Sequence, residues 1–249
     1  MILLVDGDIL LYRMSFRHQG RAFGELIVDS VDEAMRDFDD MIEELKFYTQ
    51  TKEVQIVLSD FTNFRKELVP TYKISRKTQD KPKLLPRLRA LVEVKYDPII
   101  YPNLEGDDVL GILSTSEPEK YIIASSDKDL MQIPGYHFNW KNIEEAQVVY
   151  QKPLDGLRFF YQQILSGDPT DGYYGVYGIG KVKARKLLKD IDDEFEMWEV
   201  VLNKYLEAGM SEDEAIQTAR LAKILDIDHW DSKNEAPILW EPPVKEVKE

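Results

Sequence analysis

The sequence predicts an α/β fold with a mainly parallel central sheet flanked by helices. Three observations lead there: short apolar runs that end in turns, helical periodicity between the first two of them, and a purely helical pattern beyond about residue 155. Ile2 to Val5, Val54 to Leu58, Pro98 to Tyr101 and Tyr121 to Ala124 are apolar, β-rich and flanked by turn or polar residues, as buried strands are. Ser30-Val31-Asp32-Glu33 is a capping-box pattern, and Met35, Phe38, Ile42 and Leu45 follow at helical spacing, so an amphipathic helix joins the first two strands. Strand, helix and strand in that order imply parallel pairing, because the connection must cross over.

Phe138 to Trp140 and Ala146 to Tyr150 are expected to form a hairpin around Asn142 to Glu145. Leu157 to Leu165, Val182 to Leu188 and Trp198 to Ala208 then read as helices. The expected organisation is a core over 1–155, a helical lobe over 156–234 and a flexible tail over 235–249. That tail is rich in Pro, Glu and Lys without periodicity, and is expected to be poorly ordered or draped over the surface.

With 249 residues, 43% hydrophobic and 31% charged, the chain suffices for one large α/β domain with an appendage. No stretch approaches the roughly 20 apolar residues of a membrane span, and Asp6 interrupts the first apolar run too early for a signal peptide. With no cysteine there are no disulfides, thiolate metal sites or cysteine nucleophiles, which fits a cytoplasmic setting. A net charge of −14 argues against a polyanionic partner until its distribution is considered. Between Arg65 and Arg89 nine basic residues face two acidic ones, and Lys181 to Lys189 adds five with no acid. Two basic islands on an acidic body suit a polyanion held locally and repelled elsewhere.

The acids gather where a metal enzyme would need them. Asp6 and Asp60 follow strands, Glu105, Asp107 and Asp108 surround a helix start, Asp127 and Asp129 follow another strand, and Asp168 and Asp171 lie in a Gly-rich turn. In parallel sheets ligands bind beyond the carboxyl ends of the strands, which places Asp6, Asp60 and Asp127 on one edge. Any one of these acids alone is an ordinary cap or turn former. Together they are better explained by a shared site, because crowded carboxylates resist ionisation unless cations neutralise them. Hard oxygen donors suit Mg²⁺ or Mn²⁺, and a pair of such ions clamps the attacking and leaving oxygens of a phosphoryl displacement. Of the helix-start acids, Glu105 and Asp108 would share a face while Asp107 points elsewhere, unless Glu105 lies in the turn and all three face the site.

Gly175-Val176-Tyr177-Gly178-Ile179-Gly180-Lys181-Val182-Lys183 combines a tight glycine turn with a basic helix start, a pattern suited to gripping a phosphate backbone. With Asp168 and Asp171 just before it, the chain resembles the structure-specific 5′-nuclease family of flap endonucleases and 5′–3′ exonucleases, most closely its bacteriophage members. The match runs in order over about residues 1 to 190. It aligns Asp6, Asp60, the Glu105-Gly106-Asp107-Asp108 block, Asp127 with Asp129, and Asp168 with Asp171 onto the family's metal-binding acids.

The resemblance implies a PIN-like core with a helical arch over about 63–90 and a helix-hairpin-helix clasp over about 175–188. It implies two Mg²⁺ or Mn²⁺ ions, and a K⁺ ion on the backbone carbonyls of Val176 and Ile179. Lys73 and Arg76 would stabilise charge on the scissile phosphate. DNA would be contacted by Arg65, Tyr72, Lys77, Lys81 and Lys83 from the arch, with Tyr72 stacking on an unpaired base, and by Gly178, Gly180, Lys181 and Lys183 from the clasp. Thr78 to Pro86 is expected to be a mobile part of the arch.

The implied partner is DNA with 5′ single-stranded ends or flaps, or an RNA–DNA hybrid. The protein would be a monomer in the cytoplasm, that of the host if phage-encoded, with a replication protein as a further partner. Asp8 departs from the family pattern, standing where many relatives carry a neutral residue, and is read as supporting or tuning the metals. The chain is short beyond the clasp and Asp190 to Glu199 is acid-rich, so downstream duplex contact is expected to be limited.

Two other readings fit part of the pattern. A haloacid-dehalogenase-type phosphatase would use Asp6 as nucleophile and Asp8 as general acid, but leaves the clasp and the basic islands unexplained. A PIN-type ribonuclease shares the acids but usually lacks arch and clasp.

Overall fold

The computed structural model describes residues 1–22, 25–75 and 80–245. Strand β1 (Ile2–Asp6) runs into helix α1 (Gly7–Arg17) without a loop, because the Asp6 side chain accepts from the Ile9 amide and caps the helix itself. A two-stranded hairpin of β2 (Gln19–Ala22) and β3 (Glu25–Val28) follows, then α2 (Val31–Thr49). The expected capping box is present: Ser30 Oγ accepts from the Asp32 amide at 3.1 Å, and Glu33 accepts from the Ser30 amide at 3.2 Å. Ala34, Phe38, Met41, Ile42 and Leu45 form its buried face.

Strand β4 (Glu53–Val57) pairs parallel to β1, with Val5 opposite Ile56. Short helix α3 (Phe64–Leu68), then α4 (Leu85–Tyr96) and α5 (Gly106–Ser116), lead to β5 (Tyr121–Ala124), parallel to β1 on its other side. β6 (Gly135–Phe138) adds in parallel and β7 (Val148–Gln151) antiparallel, giving the order β4-β1-β5-β6-β7. The β6–β7 pair realises the expected hairpin, with shifted bounds and a 3₁₀ turn over Trp140–Glu145. Helix α6 (Pro153–Ser166), the short strands β8 (Gly167–Asp168) and β9 (Tyr173–Tyr174), and helices α7 (Lys181–Leu188), α8 (Glu194–Glu207) and α9 (Glu212–Ala222) complete the second half.

Apolar residues bury in three clusters. One lies between the sheet and α1, α2 and α4, a second between the sheet and α5, and the third within α6 to α9. The first and second cover opposite faces of the sheet, as parallel strands require.

Three expectations are corrected. Pro98 to Tyr101 is no strand: one bridge joins Ile99 to Val57, and Pro98 and Pro102, lacking amides, flank it. The last part of the stretch expected to form the arch, from Leu84, enters a core helix, since Leu84, Leu88 and Val92 are buried against α1 and α2 and Pro86 sits in the first turn of α4. Its basic residues had masked an apolar spacing of four.

The tail, where described, is anchored rather than loose. Ala236–Pro237 pairs with Trp230–Asp231, and Trp240 is 5% exposed, with its ring 5.2 Å from that of Trp198 and 5.7 Å from that of Phe160. Arg220 donates to the Trp240 carbonyl at 3.1 Å. Trp240→Ala is therefore expected to lower stability by about 3–5 kcal/mol in chemical denaturation. A change within about 0.5 kcal/mol, as at surface positions, would show that the tail only rests on the lobe.

Candidate active site

Parallel pairing places the carboxyl ends of β1, β4 and β5 on one edge, and the cleft opens there. Asp6, Asp8, Glu105, Asp107, Asp127, Asp129, Asp168 and Asp171 line it, together with Ser59, Lys73 and Lys128, in a cavity of about 310 Å³. Seven of the nine sequence-predicted acids thus meet in one place. Five come from the sheet edge and the start of α5, and the last two from β8 and the turn that follows it.

Each side chain is held by local structure. Ser125, 5% exposed at the end of β5, donates to Asp6 Oδ2 at 2.6 Å and accepts from the Asp127 amide at 2.9 Å, so one hydroxyl spaces two acids. Asp127 Oδ1 accepts from the Asp129 amide at 2.8 Å, which starts a 3₁₀ turn. Asp168 caps its own turn through the Thr170 amide at 2.9 Å. Lys73 sits at a left-handed φ of 53°, unusual for a side-chain-bearing residue, and its amide donates to the Asp171 carbonyl at 2.8 Å. The Asp171 turn closes at Gly172, φ 83°, where an added Cβ would stand 3.0 Å from the Thr71 carbonyl oxygen. Backbone contact between residues 71–73 and 171–172 thus delivers Lys73 and Asp171 together. Lys73 Nζ lies 2.6 Å from Glu105 Oε1 and 3.5 Å from Asp171 Oδ2.

The electrostatics divide the acids in two. Burial, with Asp8 and Asp127 nearby, pushes Asp6 up to about 7 against the hydrogen bonds of Ser125 and Ile9. Asp107 is likewise raised, by burial and by Asp6 and Asp127, and Asp129 is raised by burial and by Asp127. Glu105 goes the other way. Burial opposes its charge, yet Lys73, Arg65 and the Tyr72 hydroxyl hold it at about 2. Glu105 is faced by two cations, whereas Asp6 and Asp107 are raised by burial and by neighbouring acids.

Of three further predicted residues, Asp108 lies outside the cleft, while Arg65 and Tyr72 form part of its wall but are buried. Asp108 is fully buried and faces away from the cleft, accepting both guanidinium nitrogens of Arg65 at 2.7 Å and the Leu225 amide at 3.0 Å. Arg65, 2% exposed, also donates to the Leu221 carbonyl at 3.1 Å and to that of Lys223. Asp108 is kept out of the cleft, Arg65 reaches only its inner wall, and the pair fastens α3 and α5 to the end of α9 and the chain leaving it. Glu105 caps α5 and Asp108 lies in its first turn, and the face they share is the one that Arg65 occupies. Tyr72 is 4% exposed and donates to Glu105 at 3.0 Å, so it packs and hydrogen-bonds instead of stacking on a base.

Asp60 is outside the cleft, accepting from Thr62 Oγ1 at 2.6 Å, the Phe61 amide at 2.7 Å and the Asn103 amide at 2.8 Å. Those donors hold its carboxyl below the ordinary range. Arg76 and Lys77 lie outside the described residues, while Lys81 and Lys83 are exposed. On the clasp, Gly178, Gly180, Lys181 and Lys183 are exposed, and the side chains of Val176 and Ile179 are buried. The Val176 carbonyl accepts from the Ile179 amide at 3.0 Å. Sequence reasoning did not place Ser59, Ser125 or Lys128 at the site, and no pattern in the sequence singles out these polar residues.

The lining fits a hard divalent ion by its donors, which are carboxylate oxygens without sulfur or imidazole. Asp129 Oδ1 is buried without a hydrogen-bond donor, with Lys128 Nζ 3.6 Å away. Among the described residues no three acids or histidines converge closely enough to coordinate an ion as they stand. Ser125 and Lys73 hold the carboxylates that coordination would draw together.

Residues 1–154 match the family described as the 5′–3′ exonuclease N-terminal resolvase-like domain. The chain is 28% identical to the exonuclease of Escherichia phage T7, the match covering 97% of this chain and 93% of that protein. It is 29% identical, with the same coverage, to the exodeoxyribonuclease of Enterobacteria phage T3. Among solved structures, the bacteriophage T5 flap endonuclease in a complex with DNA and metal ions gives a TM-score of 0.66 at 15% identity, over 90% of this chain and 89% of that one. The catalytic core of Rad2 with DNA substrate gives 0.54 at 16% identity, over 97% and 83%. The fold and the acidic cleft at its strand ends are those of an α/β nuclease. The chain belongs to the 5′–3′ exonuclease and flap endonuclease family. That sets aside the phosphatase reading of Asp6 and Asp8.

The two neighbouring acids of α5 are expected to behave oppositely. A carboxyl whose pKa is raised by folding binds its proton more tightly in the folded state, so stability falls as pH rises through the window, from 3.8 to about 7 for Asp6. In metal-free protein Asp107→Asn should raise the denaturation midpoint at pH 8, with little change at pH 4. Asp108→Asn should lower the unfolding free energy by about 3–5 kcal/mol, because it breaks a buried pair. Equal losses from both would contradict the division.

Proposed function

We propose that the protein is a divalent-metal-dependent 5′-nuclease that hydrolyses DNA phosphodiester bonds near junctions of single and double strand, leaving 5′-phosphate products. The observation that carries this reading is the meeting of eight carboxylates and Lys73 in one cleft. Asp6, Glu105, Asp107 and Asp127 would hold one Mg²⁺ or Mn²⁺ ion, and Asp129, Asp168 and Asp171 a second. Such ions supply phosphate charge neutralisation and activation of water.

The protein's own residues position and exclude. Lys73, braced between Glu105 and Asp171, is placed to donate to a phosphate oxygen as charge grows on it, with Arg76 as its companion. Lys81 and Lys83 would meet the single strand, and Lys181 and Lys183 the duplex backbone, through exposed charge. A K⁺ ion at the carbonyls of Val176 and Ile179 would add to that grip. The relatives support a DNA substrate, since the T5 and Rad2 structures hold DNA. RNA–DNA hybrids with a 5′ end are a further substrate class, and a replication protein a further partner. Among the described residues no helix is long and apolar enough to cross a membrane.

The test is cleavage of a 5′-flap duplex and a matched single strand, each labelled at either end, with Mg²⁺ or with EDTA. Cuts near the flap junction with Mg²⁺ alone are expected, and product lengths separate endonuclease from exonuclease action. Lys73→Ala should depress the single-turnover rate by about a hundredfold and leave DNA affinity nearly unchanged. Absence of cleavage alongside hydrolysis of a small phosphomonoester would overturn the reading.

A further inference from the structure

Asp8 is an eighth acid in a cleft already crowded with like charge, yet its oxygens are committed. Ser59 donates to Asp8 Oδ2 twice, from its amide at 2.7 Å and its hydroxyl at 2.6 Å. The other oxygen, Oδ1, lies 3.7 Å from an Arg89 guanidinium nitrogen. Arg89 is itself braced, donating to the Ser59 carbonyl at 2.8 Å and to Glu93 at 2.8 Å, with its guanidinium 4.5 Å from the Phe61 ring centre. Having donated its proton to Asp8, Ser59 Oγ accepts from the Gly106 amide at 2.8 Å. That amide belongs to the first turn of α5, where N–H groups have no partner within the helix. Gly106 stands between Glu105 and Asp107. A Cβ at 106 would lie 2.9 Å from Asp8 Oδ2, so only glycine lets the three groups meet this closely.

We propose that Asp8 is a positioning residue: through Ser59 it fixes the first turn of α5, and so sets where Glu105 and Asp107 stand in the cleft. The relay Asp8–Ser59–Gly106 joins α1, the loop after β4 and α5, three elements that are not adjacent in sequence. Arg89 balances the charge this requires and keeps Asp8 turned toward Ser59. The metal-directed part of the inference rests on the nuclease reading above; the structural relay does not.

The experiment compares Asp8→Ala, Ser59→Ala, the double variant and Asp8→Asn. In metal-free protein, amide hydrogen exchange is followed at Gly106 and Asp107. Mn²⁺ binding is measured directly by titration. Losing the relay bond should speed exchange at the α5 start about tenfold, the worth of one hydrogen bond. Mn²⁺ binding should weaken by about 10- to 100-fold, as when supports of metal ligands are removed. The double variant should be no worse than either single one, because both break the same relay. Asp8→Asn keeps an oxygen for both Ser59 donors and should stay near the wild type in exchange. Weakened Mn²⁺ binding with unchanged exchange would overturn the proposal and make Asp8 a ligand. Additive losses in the double variant, or no change in either measurement, would equally overturn it. If the exchange relay holds while no variant, nor the wild type, binds Mn²⁺, the nuclease reading fails and the relay stands.

Discussion

Mutual repulsion of carboxylates at the carboxyl edge of a parallel sheet is the constraint around which this molecule is arranged. Parallel pairing of β1 with β4 and β5 brings Asp6, Asp8 and Asp127 to one edge, and α5 adds Glu105 and Asp107. Left alone, such a group would protonate or push the fold apart. Neutral donors and fixed cations keep it in register instead: Ser125 between Asp6 and Asp127, Lys73 against Glu105, Arg89 beside Asp8. Asp6 and Asp107, raised by burial and by neighbouring acids, are among the acids to which the proposed nuclease chemistry assigns an ion.

The same electrostatic demand joins the two halves of the chain. Arg65 and Asp108 form a buried bidentate pair, and the carbonyls of Leu221 and Lys223 and the amide of Leu225 complete their hydrogen bonds. A buried pair of this kind adds little net stability over an apolar substitute, but it is costly to break on one side and specific in geometry. It sets the end of α9 and the segment after it beneath the cleft, where Leu221, Ala222 and Ile224 form part of the lining. Trp240 then closes the helical lobe from outside.

How much was legible in the sequence follows from what a sequence encodes locally. Asp6 and Asp127 were readable because an acid just after an apolar run must lie at a strand end. Asp60 was misplaced because Leu58 and Ser59 let the chain turn before it, and its carboxylate serves its own loop. The spacing of Glu105 and Asp108 gave a shared face but could not say that Arg65, forty residues earlier, occupies it. The family resemblance implies DNA contacts for Tyr72 and Arg65, whereas the structure buries both side chains in the scaffold. The β2–β3 hairpin escaped notice because Gln19-Gly20-Arg21-Ala22 carries no alternation of apolar and polar residues. The roles of Ser59 and Ser125 depend on contacts across the sheet edge, which no single-sequence pattern carries.

If the cleft acids are poised by mutual repulsion, a divalent ion must displace protons when it binds. Titration calorimetry of Mn²⁺ into the protein at pH 6.5 and at pH 9, in buffers of different ionisation enthalpy, measures those protons directly. The account predicts net proton release at pH 6.5, from Asp6, and less release from it at pH 9. Binding without proton release at pH 6.5, or no binding at either pH, would contradict it.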